Sequence, residues 1–474
     1  MNFNFPFPGL ASRAILPLTF SSLLSLTACA PLSPYTKPVM DVPTQFKETS
    51  LWQAARTDAD QIPDAWWQAF NDPQLDQLQA ASALGNQTLK NSLAQYQAAR
   101  AALGSSQAAQ APTVAATAGA TRGTNSVAGA PVTQGYSVGA TASWELDVWG
   151  RLSGGVQASQ ARLQASFNDL AAARLSLQAT LAQTYFSWRA AGAQTSLLER
   201  TVTAYQRSLA LTQNRYSAGV ASSADVATAN AQLQSTKALL IESQINRSQL
   251  EHALAVLVGK PPASFALITE GGMAVAPNVP LQLPATLLER RPDIAAAERR
   301  VGAAYAQIGV AHAAFFPALT LSGNTGYKNA NLGELLNAPN LLWSLGPAMA
   351  LSVFDGGARQ AAEDAARANT DQAVAVYRQS VLTALQEVED NLVIAASLAR
   401  EDAVQVEALN AAQQALTVTL NQYQAGTVSY LNVVNAQATA LSVERSLLDV
   451  RNRRLLSIVQ LLKNLGGRWD KVDS

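Results

Sequence analysis

The chain has 474 residues, enough for about three domains of ordinary size. Lys+Arg and Asp+Glu are both 33, so the formal net charge is zero, which argues against a nucleic-acid binder, since such proteins carry a basic excess. Charged residues are 14% against 48% apolar, so much of the surface faces something other than bulk water; one Cys forbids an internal disulfide, and two distant His, His252 and His312, leave metal and histidine-based catalytic sites short of parts.

The first 28 residues read as a secretory signal. Arg13 precedes an uncharged stretch from Ala14 to Ala28 that is too short to span a bilayer. It ends Leu26-Thr27-Ala28-Cys29, where small residues before the cut would leave the chain's single thiol at the new N-terminus, open to acylation. Pro31, Pro34, Pro38 and Pro43 then predict an extended tether within a segment 29–85.

Past residue 85 the chain is organised by its prolines and glycines. A first strand is expected from about Pro112, a loop from Gly123 to Pro131, and a second strand over 136–148. In that second strand Tyr136, Val138, Ala140, Ala142, Trp144, Leu146 and Val148 share one face, and Ser137, Gly139, Thr141, Ser143, Glu145 and Asp147 the other. Strands of about ten residues with one apolar and one polar face fit a membrane-spanning β-barrel, with Tyr136, Trp144 and Trp149 as interfacial aromatics; a soluble sandwich shows the same alternation. No proline lies between Pro131 and Pro261, so Arg151–Ala218 is expected as a helical arm of 68 residues, roughly 100 Å long, and Val220–Val258 as its return. A heptad track runs down the arm through Leu163, Phe167, Leu170, Leu177, Leu181, Trp188, Ala191, Leu198, Val202, Tyr205, Leu209 and Tyr216, broken at Arg174, Thr184, Thr195 and Thr212. Apolar residues off the track, such as Leu175, Leu197 and Leu211, favour contact with two neighbours over a single coiled-coil seam.

After a linker over 260–290 the pattern repeats. Leu319 and Leu321 alternate with Thr320 and Ser322, a loop spans Asn329 to Pro339, and Trp343, Leu345, Pro347, Met349, Leu351 and Val353 repeat the apolar face. A second arm, Ala358–Ala425, and its return, Thr427–Leu465, follow, with 466–474 as a tail. Tyr216-x-x-Gly219 matches Tyr423-x-x-Gly426, Val226 matches Val433 and Gly150 matches Gly357, all offset by 207 residues. The chain is therefore two copies, 86–259 and 291–465, of a helix, two strands and a long hairpin. Four strands cannot close a barrel, so strands in a membrane require several chains to share one.

The block Leu287-Leu-Glu-Arg290-Arg291-Pro292-Asp293-Ile294, with Ala297-Glu298, Ile308-Gly-Val-Ala311, Phe316-Pro317, the Trp66-Trp-Gln-Ala-Phe70 to Leu75 segment and the two tip motifs, resembles the TolC-like outer-membrane efflux proteins, specifically the lipidated branch serving RND-type pumps. The resemblance implies a homotrimer with a 12-stranded transmembrane β-barrel, four strands per chain, continued into the periplasm by a mainly α barrel of coiled-coil hairpins. It implies an outer-membrane lipoprotein anchored at Cys29, with a periplasmic adaptor and an inner-membrane pump as partners, no cofactor, metal or nucleic acid, and passive export of drugs or toxic compounds. Alternatives are a duct for type I protein secretion and a lipid-anchored scaffold with no pore.

Arg290, Arg291, Asp293 and Glu298 read as structural, since Pro292 and Asp293 suit a first helical turn, and no nucleophile elbow or phosphate loop is present. Gly219 and Gly426 mark hairpin tips that need a positive φ. The family places a gate at these tips, which assigns it here to Asp225, Tyr423, Asn432 and Asn435. A bond from the Tyr423 hydroxyl to Asp225 is expected, and Asn at 432 and 435, where the family often has carboxylates, predicts weak cation selectivity.

Overall fold

The computed structural model describes residues 34–48, 65–124, 131–268, 273–274, 276–277 and 291–466. The expected signal, Cys29, Arg290 and the tail beyond residue 466 lie outside them.

The strap 34–48 leads towards a tight turn, Trp66–Phe70, that closes on Asn71 in the left-handed region (φ 49°). Asp72 then starts helix α1 (Pro73–Gly85) by accepting the Gln74 and Leu75 amides, with Pro73 in the first turn where its missing N–H costs nothing. Helix α2 (Gln87–Ala108) leads to strands β1 (Thr113–Gly123) and β2 (Thr133–Leu146), then to α3 (Arg151–Ser217) and α4 (Ser223–Leu257). The second copy gives α5 (Pro292–Ala313), β3 (Ala318–Asn329), β4 (Leu341–Ala350), α6 (Ala358–Gln424) and α7 (Tyr430–Asn464). Both long arms have 67 residues, or about 100 Å, and both returns have 35.

The four strands form one antiparallel sheet in the order β1-β2-β3-β4. Its register places Ala118 beside Val138, Val138 beside Tyr327 and Tyr327 beside Leu341, and likewise Ala142, Gly323 and Leu345 in a row. One face therefore collects Val114, Val138, Trp144, Leu321, Trp343, Leu345 and Met349, while Thr117, Thr141, Ser143, Asn324 and Ser344 lie on the other. On the apolar face Trp343 is 75% and Met349 70% exposed in the single chain. Pro347 lies opposite Leu321 on β4, the last strand of the single chain's sheet. Gly139 faces Gly326 across the β2–β3 ladder; a Cβ on Gly139 would lie 2.6 Å from the Thr325 carbonyl oxygen.

Val148, Leu351 and Val353, expected on strands, lie beyond them. The ladder stops at Leu146 because Asp147 turns to cap α3, its carboxylate accepting the Leu152 and Ser153 amides at 2.8 and 2.7 Å. It stops at Ala350 because the chain turns towards Asp355, which accepts the amides of Gly357 and Arg359 at the start of α6. Gly150 (φ 76°) and Gly357 (φ 90°) take the left-handed conformation at the two turns from sheet to helix. Trp149, off the strand, stacks on Phe316 at 4.8 Å and donates to the Pro317 carbonyl; Trp144 donates to that of Gln110.

The helices form a palisade. α3 touches α2, α4, α5 and α7, and α6 touches α5 and α7. α4 and α2 follow one another along one side of α3, joined at Asn86: its Oδ1 accepts the Leu89 amide while its Nδ2 donates to the Leu257 carbonyl at 2.9 Å. α5 and α7 share the slot between α3 and α6. The heptad track faces these neighbours, with Leu181, Trp188, Leu198, Val202 and Tyr205 buried, although Tyr216 at its end is exposed. Three of its breaks are threonines, Thr184, Thr195 and Thr212, whose hydroxyls donate to the carbonyls four residues back, which lets polar residues sit on an apolar track. The main core lies midway, where Trp66, Leu75, Tyr185, Phe186, Leu254, Ile294, Tyr377, Leu392 and Leu461 pack together. The palisade's edges leave Ile241 and Ile245 on α4 and Val376, Ile394 and Val404 on α6 exposed. Among the described residues no helix is long and apolar enough to cross a membrane.

Candidate functional site at the hairpin tips

Both arms end in the same turn. Gly219 (φ 75°) and Gly426 (φ 77°) adopt the left-handed conformation. The Val220 amide returns to the Arg215 carbonyl and the Thr427 amide to that of Gln422, each at 2.9 Å, closing the last helical turn.

The starts of the return arms differ. Ser222 and Asp225 cap α4 reciprocally: Ser222 Oγ accepts the Asp225 amide and the Asp225 carboxylate accepts the Ser222 amide at 3.0 Å. At the duplicated position α7 begins at Ser429 with no side-chain cap, and Asn432 replaces the aspartate. Asn432 and Asn435 sit one turn apart on α7 with exposed side chains.

Tyr423 does not meet Asp225 within the chain. Its hydroxyl donates to Thr212 Oγ1 on α3 at 3.4 Å, and its ring, 4% exposed, packs edge-on against Tyr430 at 5.3 Å. Within the single chain the Asp225 carboxylate accepts the Ser222 amide, and the buried Tyr423 is turned towards α3. Sequence reading missed what surrounds Tyr423. The Arg215 guanidinium lies over the ring, 4.7 Å from its centroid, and donates to the Gln424 carbonyl at 3.1 Å. Tyr430 O–H and Ser208 Oγ are 3.2 Å apart, and burial raises the phenol's pKa despite hydrogen bonds from Ser208 and Thr212 that lower it. Ser208, Thr212 and Arg215 recur at helical spacing down α3, the one signal that marks them as a stripe.

The Arg-Pro-Asp block is not at the tips. Arg291 precedes α5 and is buried, donating through Nε and Nη2 to Asp293 at 3.0 and 2.6 Å and through Nη1 to Glu387 at 2.8 Å. Glu298 accepts from the Tyr35 hydroxyl at 2.9 Å, which fastens the strap. Further along the strap, Glu389 on α6 accepts the Lys47 and Glu48 amides. His252 is exposed, and His312 Nδ1 lies 3.3 Å from Glu363. Among the described residues no group of three or more His, Cys, Asp or Glu is placed to hold a metal ion.

Comparison with known proteins adds to this geometry. The family model described as outer membrane efflux protein matches residues 79–260 and 283–467, one match for each copy. The outer membrane protein OprJ of Pseudomonas aeruginosa is 31% identical over 461 residues, 94% of this chain and 95% of its own. The cation efflux system protein CusC of Escherichia coli is 30% identical over 459 residues, 96% and 99%. The solved outer-membrane channel OprN superposes with a TM-score of 0.86 at 29% identity, covering 92% of this chain and 99% of that one. Such channels are trimers, so the exposed apolar face and the two free sheet edges belong to a barrel of three chains and twelve strands in the outer membrane. The duplicated strands, the paired arms and these matches together show that the chain belongs to the outer membrane efflux protein family.

Proposed function

We propose that this outer-membrane efflux channel is a passive duct for small toxic molecules, with no chemistry of its own, and that a periplasmic adaptor engaging the tips joins it to an inner-membrane RND-type pump. The observation that carries this reading is the fusion of a lipid-facing sheet to helices about 100 Å long that close on glycine turns. That length suits a tube crossing the periplasm, and the tip is where a second protein can shift a closed–open equilibrium by contacting the open form better. Related proteins carry names for cation, antibiotic and toluene efflux, a breadth that fits a duct which does not read its cargo.

The gate in this proposal comprises Asp225, Tyr423, Asn432 and Asn435, with Gly219 and Gly426 as the turning points, and Cys29 carries the lipid. The two repeats, 86–259 and 291–465, are the two walls each chain contributes. Deleting the gene is expected to raise drug susceptibility at least fourfold, and the purified trimer is expected to conduct ions in a planar bilayer. Unchanged susceptibility to every pump substrate tried, with no conductance, would reject the reading. In the same bilayer Asn432→Asp is expected to shift the reversal potential towards cation selectivity, because a carboxylate at a constriction attracts cations; no shift would remove Asn432 from it.

A further inference from the structure

The end of the sheet away from the helices, where β1 turns into β2 and β3 into β4, carries one charge that its own hairpin does not balance. On the apolar face the register sets Arg122 opposite Gln134, Tyr136 opposite Asn329 and Tyr327 opposite Leu341. Barrel strands are tilted, so residues at one height step along the register from strand to strand. A step of two residues at each crossing leads from Arg122 to Tyr136, Tyr327 and Trp343, one on each strand. The duplication picks out the same row. Arg122 corresponds to Tyr327 at the offset of 205 that aligns Pro112 with Pro317, and Tyr136 corresponds to Trp343 at 207. Three strands therefore carry an aromatic side chain where the apolar face meets the membrane surface, and β1 carries arginine. Trp144 lies about 27 Å down β2 from Tyr136, so the two positions bracket the apolar band.

Arg122 is the only Asp, Glu, Lys or Arg on the apolar face of the described strands. From Pro112 to Trp144 the chain has no acidic residue, so the hairpin that bears Arg122 holds no counterion for it. The side chain is exposed. Its counterpart in the second copy is Tyr327, so the sheet does not require a cation at this place. A guanidinium at a membrane interface lays its stem along apolar surface and extends its head to the lipid headgroups. Its planar fork matches two oxygens of a phosphate. Gln134, opposite Arg122 and also exposed, adds an amide that can bond hydroxyl groups. The helices leave the sheet at its periplasmic end, so Arg122 is at the level of the outer leaflet, whose lipid in an outer membrane is a phosphorylated glycolipid.

We propose that Arg122 binds a glucosamine phosphate of lipopolysaccharide, one site on each chain of the trimer, with the Gln134 amide towards the sugar hydroxyls. The bound glycolipid fixes the height of the barrel in the outer leaflet and stabilises the trimer. The site depends on the barrel alone, not on what the duct exports.

Native mass spectrometry of the full-length trimer with bisphosphorylated lipid A tests this. The wild type is expected to hold up to three lipid A molecules and to melt at a higher temperature with them than without. Arg122→Gln is expected to weaken binding at least fivefold and to remove that rise in melting temperature. Arg122→Lys, which keeps the charge without the fork, should fall between the two. Removing both phosphates from lipid A should lower wild-type binding to the level of Arg122→Gln, and phosphatidylglycerol or inorganic phosphate should bind no better to the wild type than to the variant. Without lipid, Arg122→Gln trimers should melt and conduct like the wild type. Equal binding of lipid A by wild type and Arg122→Gln overturns the proposal, as does equal binding of the dephosphorylated form. Phosphatidylglycerol held as tightly, and through Arg122, would overturn the assignment to the glycolipid. Glu334 lies on the connection from β3 to β4. If Arg122→Gln and Glu334→Gln destabilised the lipid-free trimer equally, the guanidinium would be paired within the protein and the lipid site would be rejected.

Discussion

Burial pushes the Asp293 carboxyl up, but the hydrogen bonds and charge of Arg291 outweigh it and hold the group below the ordinary carboxylate range. A carboxylate whose pKa is lowered on folding stabilises the protein above its unfolded pKa, and that contribution disappears as pH falls through the folded value. Asp293→Asn is therefore expected to lower thermal stability at neutral pH and to flatten its fall in acid; an unchanged acid profile would show that the pair contributes nothing. Arg291→Ala removes a buried guanidinium from two carboxylates, at a cost of about 2–3 kcal/mol read from trimer dissociation on heating. Gly219 behaves differently. Nothing lies within 4 Å of a Cβ built there, so Gly219→Ala carries only the cost of a left-handed backbone, about 1 kcal/mol, and faster protease cleavage at the first tip is the expected readout. The roles of Gly219 and Gly426 were legible because a Tyr-x-x-Gly at the end of each arm is a local signal. Arg215 was not: its partners, Tyr423 and Gln424, lie on the other hairpin, and Thr212 read only as a break in an apolar track.

At the scale of elements, strands and arms were readable because their cause is periodic. Alternation over 136–146 fixed the faces of β2, and the absence of proline fixed both arms to within a residue of Arg151–Ser217 and Ala358–Gln424. The strand ends were not readable, because Asp147 and Asp355 are drawn away from the sheet to cap helices, and nothing in an alternating pattern records that competition. The join between α4 and α2 was equally hidden, since its parts come from opposite ends of the first copy. Gly85 and Gly259 press backbone to backbone there, and a Cβ on Gly259 would run into the Gly85 carbonyl, with Gly259 at φ 75° besides. Gly259→Ala is expected to separate the two helix ends and to reduce the yield of folded trimer severalfold. Asn86→Ala, which removes the shared cap and leaves the backbones in place, should cost only about 1 kcal/mol. Equal effects of the two substitutions would show that the cap, rather than the close approach, holds the join.

At the scale of the whole molecule, neither sheet face buries a core within the chain, and both edge strands stop short of a partner. Each condition is costly in isolation: exposed apolar strands aggregate, and unpaired edge amides in lipid have no water to satisfy them. Three chains remove both, by pairing β4 of one copy with β1 of the next and turning the apolar face outward. Leu345 and Ser344 are adjacent in the middle of β4 and point to opposite faces, so they separate lipid from lumen with one side chain. Leu345→Arg places a guanidinium near the bilayer midplane, a cost of about 2–4 kcal/mol per chain that is incurred three times in each trimer. Ser344→Arg places the same charge in the water-filled interior, where the cost is small. The first substitution is expected to leave little protein in the outer membrane while the second assembles normally and changes ion selectivity. Fractionation of membranes and heat-stable trimers on gels would read the difference. If instead Ser344→Arg failed to assemble while Leu345→Arg assembled normally, the lipid-facing side would not be the one that Trp343, Leu345 and Met349 define.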